Sequence, residues 1–206
     1  MEYPLPMRRP EPVVLTGHRV RLEPMSLTDV QRLWEAGNDP ALWRYALVRM
    51  ESVDDMRTYV RDALRARDEA AALPFVIIES ATGRVAGSTR FGNIAAVHGR
   101  LEIGWTWIRK DGQRTGVNTE CKYLLLRHAF EVLCANRVEL KTDALNAVSR
   151  RAIQRIGARE EGTFRCHMVT PSGRARDTVY YSILAEEWAD VRGRLEGMLR
   201  GPLNPA

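Results

Sequence analysis

The residues best placed to do chemistry are Gln113-Arg114-Thr115-Gly116-Val117-Asn118-Thr119. They stand where an alternating segment, LEIGWTWI (101–108), hands over to a helical one (117–134). The first turn of a helix carries backbone N–H groups without carbonyl partners and about half a positive charge, which suits a phosphate or pyrophosphate. Gly116 lets the backbone approach closely, and Lys110 and Arg114 add mobile positive charge. On residue types alone the loop is an anion site or an ordinary glycine turn into a helix. No other cluster competes. His18, His98, His128 and His167 lack ligand spacing, Cys166-His167 has no partners, and no Ser/His/Asp ordering supports covalent catalysis, so no metal is predicted.

The elements that must position this loop are legible from periodicity. Residues 17–24 (GHRVRLEP) alternate as a strand, and 27–37 follow as a helix with Leu27, Val30, Leu33 and Trp34 on one side. Ser52 with Asp55 predicts a capped helix start, running over 53–70. Segments 73–80 and 84–92 form a hairpin around Ala81-Thr82-Gly83. In 101–108, Leu101, Ile103, Trp105 and Trp107 are expected on one face, and Glu102, Gly104 and Thr106 on the other. A strand over 138–143, a helix over 149–157, strands over 159–169 and 176–184 and a helix over 186–199 complete the chain. This order predicts a mixed α/β (α+β) fold: a mostly antiparallel central sheet with helices on both faces.

Composition bounds the function. The chain has 206 residues, 45% hydrophobic and 28% charged, which fits one globular domain. It has no apolar run near the ~20 residues of a membrane span, and its start lacks the apolar core of a secretory signal. Three cysteines (Cys121, Cys134, Cys166) without paired spacing suit free thiols in a reducing compartment, so a cytoplasmic location is expected. Six of the ten prolines lie near the ends, which predicts an extended tail over 1–12, one domain over 13–200 and a short tail over 201–206. The net charge is +5, but the basic residues (28 Arg, 3 Lys) are interleaved with acids, so a solvated surface is expected and nucleic-acid binding is not.

Taken in order, GHRVRLEPM, LEIGW, NTECKYLLLRHAFE, DALNAVSRRAIQRIGA and YYSILAEEW resemble segments of the GNAT superfamily of acetyl-CoA-dependent N-acetyltransferases. Within it the chain is most similar to the branch acting on ribosomal proteins and peptide N termini, over roughly 14–190. The family signature, Q/R-x-x-G-x-G/A after the fourth strand, reads Q-R-T-G-V-N at 113–118, with Asn118 in the last place. That substitution puts an amide near the pyrophosphate or changes how closely backbone and cofactor approach.

The resemblance implies splayed fourth and fifth strands with the pantetheine arm of acetyl-CoA between them, lying along Trp107 and Ile108. It implies a pyrophosphate held by N–H groups of Arg114, Thr115, Gly116, Val117, Asn118 and Thr119. Asn146 matches the residue that contacts pantetheine, and also reads as a helix cap. Ser149 matches a serine beside the CoA sulfur, and also reads as a cap for a helix over 149–156. Many members place a proton-donating tyrosine where this chain has Ile153. Glu102 is the candidate general base, acting through a water, or a strand carboxylate paired with an arginine. Tyr180 or Tyr181 lines the acyl pocket or the core, and Trp43 and Tyr45 fall in the loop that builds acceptor sites.

The reaction implied is direct attack of a neutral amine on the thioester, with backbone N–H groups near Ile108 holding the oxyanion. The acceptor implied is a protein or peptide α-amine or a small amine, and homodimers are common among relatives. The competing readings are a non-catalytic acyl-CoA sensor, an RNA- or ribosome-associated binding protein, and an antibiotic or polyamine acetyltransferase.

Overall fold

A computed structural model describes residues 6–200. The expected C-terminal tail and the first five residues lie outside the described residues. Within the rest of the expected N-terminal tail, Met7 packs into the core and the Arg8 N–H reaches the Leu133 carbonyl (2.8 Å).

The chain runs β1 (Leu15–Thr16), β2 (Val20–Pro24), α1 (Val30–Gly37), α2 (Val53–Asp68), β3 (Leu73–Glu79), β4 (Val85–Ala95) and β5 (Arg100–Ile108). It continues through α3 (Val117–Arg127), β6 (Arg137–Asp143), α4 (Ala147–Arg155), β7 (Arg159–Val169), β8 (Ala175–Leu184) and α5 (Trp188–Arg200). The eight strands form one sheet in the order β1-β2-β3-β4-β5-β6-β8-β7, and β5–β6 is its parallel pair. Because β1 is added at the start, the fourth and fifth strands of the sequence reading are β5 and β6.

Local chemistry explains the element ends. The Ser52 hydroxyl accepts the Asp55 N–H (3.2 Å), and Asp55 in return accepts from the Ser52 hydroxyl and the Glu51 N–H (both 2.9 Å). The helix so started stops at Asp68 rather than 70, because Ala70 takes a left-handed conformation (φ 56°). The long helix expected over 117–134 is regular only to Arg127. A wider turn follows, in which the Leu133 N–H reaches the His128 carbonyl (3.0 Å), before Cys134 (φ 58°) ends it.

The sheet separates two cores. Ile77 belongs to the first, with Phe75, Phe91, Leu101, Ile103 and the α3 and α5 residues Leu125 and Leu195. Its neighbours Val76 and Ile78 belong to the second, with Leu33, Trp43, Met56 and Tyr59 beneath α1 and α2. Such alternation buries a strand on both faces. The second core holds no residue of β6, β7 or β8, so α1 and α2 cover only the β2–β5 half of their side.

β5 departs from the predicted alternation at one residue. Ser88 pairs with Trp107 and Arg90 with Gly104, so Thr89 alone faces both Trp105 and Thr106. Trp105 is the extra residue of this bulge, in a left-handed conformation (φ 50°). One inserted residue inverts the face of everything after it. Leu101 and Ile103 lie in the first core, whereas Trp107 enters the second, opposite to the face expected for it. The displaced Trp105 ring lies against Gly92, where any side chain would collide with it.

Candidate active site

The loop after β5 is built by short-range hydrogen bonds. The Gln113 side-chain amide donates to the Ile108 carbonyl (2.9 Å), and the Thr115 hydroxyl to the Gly112 carbonyl (2.7 Å). Arg114 (φ 63°) and Gly116 (φ 87°) are both left-handed, a turn conformation that gathers successive N–H groups. Gly116 caps α3 without any side-chain acceptor, and the helix's first internal bond runs from the Glu120 N–H to the Gly116 carbonyl (2.9 Å). The N–H groups of Val117, Asn118 and Thr119 therefore have no carbonyl within the helix.

Glu120 anchors this end of α3. Its buried carboxylate accepts three consecutive backbone N–H groups, from His18 (3.0 Å), Arg19 (2.6 Å) and Val20 (2.7 Å). No periodicity signals this role, because its partners lie about a hundred residues upstream. The charge around the loop also differs from a simple count of nearby basic residues. Arg109 is buried and spent on Glu79 (2.6 Å) and Asp111 (2.9 Å), whereas Lys110 and Arg114 stand exposed without ion pairs among the described residues. Arg155, at the far end of α4, brings its guanidinium to the Thr119 hydroxyl (2.9 Å), a contact the sequence did not signal.

Beside the loop, β5 and β6 pair only at Arg100–Arg137, Leu101–Val138 and Glu102–Glu139. Beyond Glu102 their pairing stops and a wedge opens. At the end of β5 the Trp107 side chain enters the second core, its ring inclined at 52° to that of Trp43 (5.3 Å) and its indole N–H without a partner among the described residues, while Ile108 enters the first. Across the wedge Asn146 caps α4, its side-chain oxygen accepting the Ser149 N–H (3.0 Å). α4 starts at Ala147, so Ser149 is not its cap, and the Ser149 hydroxyl makes no hydrogen bond among the described residues.

Lys122 projects from α3 toward β5 and donates to the Thr106 hydroxyl (2.8 Å), which in turn shares a hydrogen bond with Thr89 (2.8 Å). It is buried without an ion pair among the described residues, and burial pulls its pKa down to about 8.

Glu102 lies on the opposite side of the sheet from Lys122 and is 4% exposed. One carboxylate oxygen accepts from Lys141 (2.7 Å) and from the Asn93 amide (2.5 Å). The other lies over Gly104, immediately before the bulge. Burial opposes the charge of Lys141, but Glu102 more than offsets it and raises its pKa. Tyr180 shares this face: Lys141 lies 5.0 Å over its ring, and Phe164 and His167 pack against it at 4.7 and 5.8 Å. Tyr181 points the other way, fully buried, its hydroxyl bonded to Glu160 (3.1 Å). Trp43 is a core residue, donating its indole N–H to the Gly37 carbonyl (2.7 Å). Tyr45 is half-buried beneath the Arg44 guanidinium (5.4 Å). Structure thus brings Glu102 and Tyr180 together and leaves Trp43 in the second core. No group of three or more metal-ligating side chains, and no helix able to cross a membrane, occurs among the described residues.

A helix N terminus with free N–H groups beside a wedge between two parallel strands defines a class, and comparison agrees with it. Residues 19–159 match the acetyltransferase (GNAT) domain, so the chain belongs to the GNAT family of acetyltransferases, enzymes that use acetyl-CoA as acetyl donor. It is 37% identical over 106 residues to a Bacillus subtilis protein named "Putative ribosomal N-acetyltransferase YdaF", a match spanning 52% of this chain and 57% of that protein. A GCN5-related N-acetyltransferase from Brucella melitensis superposes with a TM-score of 0.86 at 29% identity, over 97% of this chain and 89% of that one. Mycobacterium smegmatis RimJ, solved with CoA-disulfide, has the same fold (TM-score 0.77, 23% identity, 95% and 93% covered).

Proposed function

We propose that this enzyme transfers acetyl from acetyl-CoA to a primary amine, the α-amine of a protein or peptide N terminus or a small amine, by direct attack in a ternary complex. The observation that carries this reading is the α3 N terminus, with its unpartnered N–H groups of Val117, Asn118 and Thr119, opening beside the β5–β6 wedge. Those groups, with the N–H groups of Arg114, Thr115 and Gly116, hold the pyrophosphate. Trp107, Ile108 and Asn146 line the pantetheine arm, and Lys110, Arg114 and Arg155 add positive charge. Bound acetyl-CoA supplies an acyl group activated as a thioester.

The acceptor's own proton decides how much help the protein must give. An α-amine has a pKa of about 7.7–8.0, so roughly a tenth to a fifth is neutral at pH 7, against a few in ten thousand for a lysine at about 10.4. Positioning therefore suffices for most of an α-amine reaction. Glu102 takes the remaining proton through the oxygen over Gly104, its other oxygen being held by Lys141 and Asn93. Ser149, whose hydroxyl makes no hydrogen bond among the described residues, would donate to the CoA sulfur, directly or through a water. The relative named as a ribosomal N-acetyltransferase supports a protein N terminus as acceptor.

The test is incubation with acetyl-CoA and a mixed panel of N-terminal peptides, polyamines and aminoglycosides, read by mass spectrometry. Acetylation at peptide α-amines is the expected result, and modification of polyamines or aminoglycosides alone would overturn the acceptor class. Glu102→Gln is expected to lower kcat/KM about tenfold or more; a loss below about threefold removes Glu102 from the proton path.

A further inference from the structure

Three buried cations among the described residues form no ion pair: Arg90, Lys122 and Arg176. Two of them are otherwise accommodated. Arg90 lies against the rings of Tyr59 (5.0 Å) and Trp105 (4.8 Å), and Lys122 donates to Thr106 (2.8 Å). Arg176 has neither. It is 8% exposed, its Nε is fully buried without a partner, and its guanidinium makes no hydrogen bond, ion pair or ring contact among the described residues. Two residues along β8, on the same face of the strand, the Thr178 hydroxyl is also buried and unpartnered. A buried Nε and a buried hydroxyl without partners are costly to keep.

Their position connects them to the acceptor side. Along β8, Thr178 pairs with Asp143 and Tyr180 with Lys141, so Arg176, Thr178, Tyr180 and Lys141 lie on the face that also bears Glu102. This is the half of the sheet that α1 and α2 leave uncovered. Arg176 sits past the end of β6, the end at which β5 and β6 have already parted. The two nearest carboxylates are committed. Asp143 bonds Arg174 and the Leu145 N–H (2.9 Å), and Glu102 bonds Lys141 and Asn93. Burial draws the Arg176 pKa down and Asp143 offsets this only in part, as expected for a cation whose own counterion is missing.

We infer that Arg176 and the Thr178 hydroxyl form a subsite for a carboxylate carried by the amine acceptor. A guanidinium matches a carboxylate with paired hydrogen bonds. With Asp143 paired to Arg174 and Glu102 to Lys141, Arg176 leaves one positive charge in surplus, which a singly charged group cancels and a phosphate dianion exceeds. The acceptor is then an α-amine with an acidic group a few bonds away, either an N-terminal acidic residue of a peptide or the carboxylate of a small amino acid. This rests on the amine acetyltransferase reading above.

The experiment compares matched acceptors, Asp-Ala-Phe-amide with Asn-Ala-Phe-amide and alanine with alaninamide, each kcat/KM being taken per neutral amine. The two pairs separate a peptide source of the carboxylate from a small-molecule one. The wild-type enzyme is expected to prefer the acid of at least one pair by roughly tenfold or more in kcat/KM. Arg176→Gln brings that ratio close to one, mainly through KM of the acid, and Thr178→Val lowers it by about threefold. Thr178→Val carries the test if Arg176→Gln fails to fold, as judged by its thermal melt. Equal use of acid and amide by the wild type, or an unchanged ratio in the variants, overturns the inference. If no amine is acetylated although acetyl-CoA binds, the transferase reading fails instead. Titration of N-acetyl-Asp-Ala-Phe-amide and its Asn counterpart into the CoA-loaded protein then decides the subsite: weaker binding of the acid by Arg176→Gln supports it, and equal binding of acid and amide overturns it.

Discussion

The loop over 109–119 and the sheet face around Glu102, which α1 and α2 leave uncovered, lie on either side of the same strand, yet they are made differently. In the loop the binding groups are backbone N–H groups, aimed by two left-handed residues and the start of α3. On the sheet face the candidate groups are side chains from β4, β5, β6 and β8, brought together by register: Asn93, Glu102, Lys141, Tyr180 and Arg176. A site of backbone groups tolerates many sequences so long as the turn forms. A site of side chains changes character with one substitution. Under the proposed function the difference has a use, since the phosphates of the donor are constant and the acceptor is what distinguishes one acetyltransferase from another.

The contrast can be broken most sharply at Glu120. Glu120→Ala leaves the His18, Arg19 and Val20 N–H groups buried without an acceptor, and denaturant unfolding is expected to show a loss of about 3 kcal/mol or more. Glu120→Gln should recover part of it, and a loss below about 1 kcal/mol would show that α3 is held by other means. Gly116→Val comes next, raising KM for acetyl-CoA roughly tenfold or more and costing about 1–2 kcal/mol of stability. Gly83→Ala, at another left-handed glycine with no atom near its Cβ position, serves as its control. It should cost similar stability and leave KM alone.

Lys122 tests the buried polar links on the α3 side of β5. Its pKa falls from 10.5 to about 8 on folding, so the native state binds fewer protons than the unfolded chain between those values. The lysine therefore lowers stability below pH 8, and the penalty is relieved as pH rises toward 10.5. Lys122→Met is expected to raise unfolding free energy at pH 7 by on the order of 2 kcal/mol, with the gain shrinking above pH 8. A pH-independent difference would mean that the ammonium is not desolvated. The smallest effect is expected at Ser149: Ser149→Ala should lower kcat about two- to fivefold and leave stability unchanged, because its hydroxyl caps nothing. The CoA thiolate leaves readily, with a thiol pKa near 8.5, so its protonation contributes little. Unchanged kcat would remove Ser149 from the site.

Most elements were legible because their signals are local. Ser52 with Asp55, the hairpin at Ala81-Thr82-Gly83 and the Gly116 turn need only near neighbours, and each forms where its residues stand. Trp107 shows where that reasoning stops. Strict alternation put it with Leu101 and Ile103, but the bulge at Trp105 turned it into the other core. Nothing in the string LEIGWTWI marks the bulge, since the vacancy that accepts the Trp105 ring is Gly92, on the neighbouring strand. Glu102 was legible as a carboxylate on the face away from Leu101, but its engagement with Lys141 and Asn93 depends on the β5–β6 and β4–β5 pairings. Arg155 and Glu120 left no sequence signal because each acts on a partner distant in the chain.

By itself, then, the sequence determined the order of strands and helices from β2 onward, the glycine turn that opens α3, and the ordered motifs by which the chain resembles its family. Turn geometry and hydrophobic periodicity are properties of a few consecutive residues, so they survive without knowledge of the rest. Tertiary structure alone decided which charges are spent and which remain free: Arg109 paired away from the loop, Arg155 brought to it, Glu102 held by Lys141, and Arg176 left without a partner. A charge is cancelled or exposed by whatever lies within a few ångströms of it, and in a sheet those neighbours come from strands far apart in the chain.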